Sequence, residues 1–264
     1  MDLTIKHTTE YTYDQPVSYA LQRLHLRPID NRMQRVKTWE VSVEGGTVEL
    51  TYDDHHGNRT DLVLVDRGTT VLSVTARGEV ETADTAGVLG PVYGVAPLWH
   101  FRHQTPMTEP DERIRMLARD IEGDHSVAAL HALSAEILSA VPYKAGITYS
   151  DTTAAQALEG AAGVCQDHAH IMLSAARLNG LPARYVSGYL KLNESEDQTA
   201  SHAWAEVHLP DLGWVGFDVS NRISPDDRYV RLAVGLDARD CAPVRGIRRG
   251  AGVESLVVSV QVQQ

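Results

Sequence analysis

Hydrophobic positions in the first 85 residues recur at every second place. Leu3 and Ile5, then Thr9, Tyr11 and Tyr13, are spaced by two, and Trp39, Val41 and Val43 alternate against Val36, Thr38 and Glu40. Gly45-Gly46 marks a turn, after which Val48, Leu50 and Tyr52 resume the pattern, and His56-Gly57-Asn58 marks another before the apolar runs at 62–65 and 71–80. Successive side chains of a strand point to opposite faces, so a period of two is the signature of a half-buried strand. Short alternating runs broken by glycine at this rate predict an antiparallel sandwich or barrel.

The pattern then changes. Residues 84–110 are rich in Gly and Pro and read as a connector, and Leu98, Trp99 and Phe101 within it call for something to pack on. Pro110-Asp111-Glu112 opens a helix to about residue 121, its acidic groups placed where the helix dipole favours them. Asp124 or Ser126 caps a second helix whose Val127, Leu130, Leu133, Ile137 and Leu138 fall at spacings of three and four, and which ends before Pro142. Thr152-Thr153 caps a short third helix through Leu158, and a fourth runs over 164–179, closed by Gly180 and Pro182. Strands return at 183–190, 202–209, 214–219 and 256–262. Helices followed by antiparallel strands make an α+β arrangement. The chain is divided accordingly into an all-β sandwich over 1–90 and a second domain over 91–264.

Composition excludes more than it assigns. With 43% hydrophobic and 22% charged residues the chain can bury a core. A net charge of −11, from 24 basic and 35 acidic side chains, argues against a nucleic-acid backbone binder, and Arg245, Arg248 and Arg249 read as a solvated turn. The N-terminus lacks an apolar signal-like stretch and no apolar run approaches the roughly 20 residues that span a bilayer, so no membrane association and a cytoplasmic location are expected. In that compartment the two cysteines, Cys165 and Cys241, are expected as reduced thiols rather than a disulfide.

Cys165 follows Gly163-Val164 at the start of the fourth helix. Unpaired backbone N–H groups and the helix dipole there stabilise a thiolate, and the same N–H groups can hold the oxyanion of a tetrahedral intermediate. Cys165, Ala169, Met172 and Ala176 share one helical face, which should pack on the strands that follow. His202 opens the second of those strands, and Asp218 ends the next, joined to it by a short turn between Pro210 and Trp214. A hairpin brings the two together, the carboxylate fixing the imidazole and the imidazole serving the thiol. Taken singly each has a bland reading: a buried cysteine, one of 12 histidines, a turn aspartate.

In order, however, the stretches Gly163-Val164-Cys165-Gln166-Asp167-His168-Ala169, Ala183-Arg184-Tyr185-Val186-Ser187-Gly188-Tyr189, His202-Ala203-Trp204 and Phe217-Asp218-Val219-Ser220-Asn221 resemble the transglutaminase-like superfamily. The β-rich first region resembles that of its bacterial members. The resemblance implies an α+β, papain-like core preceded by the β-sandwich, with a catalytic triad of Cys165, His202 and Asp218. It also implies a peptide or protein amide as substrate. The chain departs from the family's usual Phe-Asp-Pro-Thr-Asn, having Val219-Ser220 where proline would restrict the turn. Asn221 is expected to buttress that loop.

Gln156 is weighed as an oxyanion-hole side chain against an exposed helical glutamine. Tyr143, Tyr149 and Trp204 are weighed as groove-lining groups against packing. Asp167 and His168 are expected in supporting or surface roles, and Cys241 as structural. Cys165, His168 and His170 lack the third and fourth ligands in recognisable spacing that zinc requires, so no metal and no cofactor are expected. The expected activity is hydrolysis of an amide through a thioester. Transamidation to an amine and a non-catalytic papain-like module are the alternatives, and the oligomeric state is not assigned.

Overall fold

The computed structural model describes residues 1–91, 95–192, 197–250 and 252–264. Seven strands come first: β1 (Asp2–Tyr13), β2 (Tyr19–Arg27), β3 (Gln34–Glu44), β4 (Gly46–Asp53), β5 (Arg59–Val65), β6 (Val71–Thr82) and β7 (Val88–Gly90). A 3-10 turn at Leu98–Arg102 leads to the helices α1 (Glu112–Arg119), α2 (Val127–Ala140), α3 (Ala154–Gly160) and α4 (Cys165–Leu178). Then come β8 (Ala183–Leu190), β9 (Asp197–Gln198), β10 (His202–Leu209), β11 (Gly213–Phe217), β12 (Tyr229–Gly235), α5 (Ala238–Cys241), β13 (Val244–Arg249) and β14 (Glu254–Gln263). The protein is of mixed α+β class.

Alternation along β1 works as the pattern demands: Leu3, Ile5, His7, Thr9, Tyr11 and Tyr13 are buried while their neighbours face outward. β1 lies between β6 and β14 in a sheet ordered β3-β6-β1-β14-β9, and a second sheet is ordered β13-β2-β5-β4. Leu3, Ile5, Leu72 and Val74 of the first sheet share a core with Leu24, Leu26, Val63 and Val65 of the second. Each such side chain contributes about 1.5–3 kcal/mol by leaving water. Both sheets therefore take strands from the two ends of the chain, since β13 pairs with β2 and β14 with β1.

The third sheet, β12-β8-β10-β11-β7, carries α4 against β8 and β10. The helices begin where their caps sit: Asp111 accepts from Ile114 N at 2.9 Å, Ser126 from Ala129 N at 3.1 Å, and Thr153 from Gln156 N at 3.3 Å. α4 is buried on almost every side, because α1, α2 and α3 cover what the sheet does not.

Polar anchors couple this sheet to the N-terminal ones. Gln34 on β3 bonds both backbone groups of Arg231 on β12, at 2.7 and 2.8 Å. His7 Nδ1 meets the Tyr189 hydroxyl at 2.9 Å. Inside the sheet, Glu206 holds Arg184 at 2.6 Å and Arg231 at 3.0 Å, and Arg184 stacks over Trp214 at 3.9 Å. Each of these charges depends on the others, since a buried charge without a partner carries a large desolvation cost.

Candidate active site

The start of α4 is built around a carboxylate. Asp167 is fully buried, and its Oδ2 accepts the Val164 N–H at 2.8 Å and the Thr148 hydroxyl at 2.7 Å. A side chain at Gly163 would meet that same Oδ2 at 2.8 Å, so glycine here makes room for the carboxylate that fixes the turn. Burial raises the pKa of Asp167, partly countered by those bonds. Cys165 and Gln166 then occupy the first two helical positions, where backbone N–H groups have no intrahelical acceptor. The Cys165 thiol is free and half-buried.

His202 opens β10 opposite Gly188 of β8. A Cβ at Gly188 would lie 2.6 Å from the Trp204 ring, so the glycine admits the indole that supports this end of the sheet. Trp204 packs at 5.4 Å on Tyr229 and at 6.2 Å beside the imidazole. It is a buried platform and does not line the groove.

Asp218 follows β11 and is held by a backbone bridge to Ile223. Its Oδ2 accepts three bonds: from His202 Nε2 at 2.6 Å, from the Tyr229 hydroxyl at 2.7 Å and from Asn221 Nδ2 at 2.7 Å. Asn221 thus braces the carboxylate directly. Burial alone would push the Asp218 pKa up, but His202, Asn221 and Tyr229 together hold it below the ordinary value. Burial likewise works against a charged His202, yet the Asp218 hydrogen bond and the interaction with Cys165 outweigh it and raise the imidazole to about 10. This environment favours the charged imidazolium over the neutral ring.

The loop after Asp218 is tied back to α4. His168 is buried, one ring nitrogen donating to the Val141 carbonyl at 2.7 Å and the other meeting Ser220 Oγ at 2.8 Å. Cys165 and His202 sit between two cavities. One, of about 600 Å³, is lined among others by Tyr143, Leu190, Leu192 and Asn221. The other, of about 220 Å³, runs past Tyr185, Ser187 and Pro243 to Cys241.

The remaining sequence candidates separate clearly. Tyr143 lines the larger cavity, whereas Tyr149 is exposed and lines a different one with Gln156. Gln156 is exposed, and its Oε1 accepts the Thr153 N–H at 3.0 Å in a reciprocal cap of α3. His170 accepts from Ala238 N at 3.1 Å, and with His168 also engaged the set Cys165, His168 and His170 does not gather around a common point. Tyr229 is the residue that sequence reasoning missed. It reaches back 11 positions to Asp218 from a strand buried on both faces, whose pattern carries no periodic signal.

Residues 115–219 match the profile of the transglutaminase-like superfamily core, and residues 3–81 match that of the bacterial transglutaminase-like N-terminal region. The chain combines a transglutaminase-like core with a bacterial transglutaminase-like N-terminal region. An uncharacterised Mycobacterium leprae protein is 29% identical over 98% of this chain and 98% of its own length. A protein-glutamine gamma-glutamyltransferase of Pseudomonas aeruginosa is 30% identical over 51% of this chain and 21% of its own. Among solved structures, a cysteine-protease candidate from Cytophaga hutchinsonii superposes with a TM-score of 0.75 at 23% identity, over 100% of this chain and 92% of that one. This likeness establishes a shared fold.

The transglutaminase-like core makes one chemical expectation immediate. Cys241 is fully buried, and burial with Asp240 and Asp237 nearby pushes its thiol well up. Iodoacetamide at pH 7 is expected to alkylate Cys165 at least about 100-fold faster than Cys241, read by peptide mass spectrometry. Equal, slow labelling of both thiols would contradict a reactive Cys165.

Proposed function

We propose that the protein is a cysteine-dependent amide hydrolase acting on peptide or protein substrates through a thioester. The observation that carries this reading is the His202–Asp218 contact of 2.6 Å beside a half-buried Cys165 at a helix start. With the proton resting on His202, the Cys165 sulfur attacks the substrate carbonyl carbon. The oxyanion that forms is met by the free N–H groups at the start of α4. His202 then donates its proton to the leaving nitrogen as the C–N bond breaks, leaving an acyl-thioester and a released amine. Water attacks the thioester, His202 takes the water's proton, and the acid departs as the sulfur is regenerated.

A primary amine replacing that water would give transamidation. The activity named for the Pseudomonas aeruginosa relative supports keeping this second reading. Both pass through one acyl-enzyme, so one experiment separates them. The protein is incubated with unstructured glutamine-containing polypeptides, with and without a labelled primary amine, and both adducts and products are weighed. Hydrolysis predicts an acyl mass on the Cys165 peptide and free acid exceeding amine incorporation. Predominant amine incorporation would assign a transferase, and absence of any acyl adduct would leave a binding module.

A further inference from the structure

Three imidazoles meet away from Cys165, where the β4–β5 turn touches the connector. His55 and His56 lie in the turn after β4, and His100 in the 3-10 turn at Leu98–Arg102. One ligand nitrogen from each lies within 4.8 Å of the other two. His56 Nε2 and His100 Nε2 are 3.1 Å apart, and the rings of His55 and His56 are 4.0 Å apart between centroids.

The His56–His100 spacing suits a tetrahedral metal, and the His55 ring, packed 4.0 Å from that of His56, has to turn to join it. Two imidazole nitrogens at about 2.0–2.1 Å from one Zn²⁺ stand roughly 3.3 Å apart. The His56–His100 pair is already near that separation at 3.1 Å, and the third nitrogen, within 4.8 Å of both, needs to close by at most about 1.5 Å. His55 is exposed and free to turn; His56 is buried and fixed.

The turn that carries the two histidines is built in advance. Asp54 accepts the backbone N–H groups of His56 at 2.8 Å and Asn58 at 2.9 Å. The Asn58 side chain in turn bonds both backbone groups of Val234 on β12, at 2.7 and 2.8 Å. His56 is only 6% exposed, yet its Nδ1 finds no partner among the described residues. Its Nε2 is the nitrogen that faces His100, and packing alone gives little reason to bring three imidazole nitrogens within 4.8 Å of one another, two of them 3.1 Å apart. Imidazole donors without a carboxylate select zinc-like ions over Mg²⁺ or Ca²⁺.

We infer that His55, His56 and His100 form a site for one divalent transition-metal ion of the zinc type, water completing the fourth position. The ion would clamp the β4–β5 turn to the connector that enters the helices, joining segments 44 residues apart at His56 and His100. Cys165 is not among its ligands, and the acyl-transfer steps do not require the ion.

The test uses the full chain with any purification tag removed and with Cys165→Ala, so that a thiol does not compete for metal. Calorimetric titration with Zn²⁺ is expected to show one equivalent bound, and Zn²⁺ to raise the melting temperature, while Ca²⁺ does neither. His55→Ala and His100→Ala, both at positions that are not fully buried, are each expected to weaken Zn²⁺ binding at least about 100-fold and to abolish the thermal shift. Co²⁺ in the parent protein is expected to give the visible absorption of a tetrahedral nitrogen site, and neither variant to do so. Failure of the parent to bind Zn²⁺ at about 100 µM would overturn the inference. So would Zn²⁺ binding that is unchanged in both variants, whose folding is checked by their metal-free melting curves.

Discussion

Cys165→Ala is expected to lower amide turnover by about 10⁴- to 10⁶-fold while leaving the fold intact. Every covalent step of the proposed cycle forms or breaks a bond at Cys165 Sγ, so no other group can stand in for it. What survives is the background that substrate positioning and the N–H groups at the start of α4 give to direct attack by water, of order 10³–10⁴ over solution. The fold should tolerate the change, because the thiol is half-buried between two cavities and alanine is a good helix former. The measurement is hydrolysis of the glutamine-containing polypeptides by purified variant and parent, with acyl adducts weighed in parallel and melting curves compared. A variant that kept more than a tenth of the activity, or still carried an acyl mass, would remove Cys165 from the mechanism.

The sequence was legible wherever the local pattern decides the structure. Ser126, read as a cap with Asp124 as the alternative, and Thr153, read together with Thr152, act as caps because capping needs only the residue and the turn beside it. Asp111, read as a first-turn acid, is itself the N-cap. The strand bounds at 183–190 and 202–209 agree with β8 and β10. β12 was not legible: its residues are buried on both faces, so alternation is absent, and Arg231 interrupts the apolar run. That arginine is acceptable inside only because Glu206, 25 residues earlier, neutralises it. β14 shows how a strand can be recognised without its partner. Its alternation marks an extended segment, but nothing in it announces pairing with β1 at the other end of the chain.

The candidate site divides in the same way. Cys165, His202 and Asp218 stand out through motif order, and the structure brings His202 and Asp218 into contact beside Cys165. The groups that hold them do not stand out. Tyr229 and Ser220 act through side chains that meet Asp218 and His168 only after β10, β11 and β12 have docked beside α4. His168, expected in a supporting or surface role, is buried and joins the α2 terminus to the Asp218 loop. Likewise His55, His56 and His100 have no spacing that suggests a cluster, since the β4–β5 turn and the connector meet only in three dimensions.

Asp218→Asn is expected to cost about 10²- to 10⁴-fold in turnover and to move the alkaline limb of the pH–rate profile from about 10 towards neutrality. The reason lies in the balance of forces on His202. Burial opposes its charge, while Asp218 and Cys165 sustain it. With the carboxylate replaced by an amide, burial gains weight, the imidazolium releases its proton at lower pH, and the general acid is lost over the range where the parent is active. The stability effect has a definite sign. In the parent His202 is raised above its ordinary 6.5, so its contribution to stability is full below that value and is lost as pH climbs towards about 10. Asp218 is held below its ordinary 3.8, so its contribution is present above that value and is lost as pH falls through the lower folded value. The parent's advantage over the variant in urea unfolding should therefore be larger at pH 6 than at pH 10.5. Unfolding curves at those two pH values, with the pH–rate profile of each protein, measure both effects. An alkaline limb that stays in place in Asp218→Asn would show that the carboxylate does not hold the proton on His202.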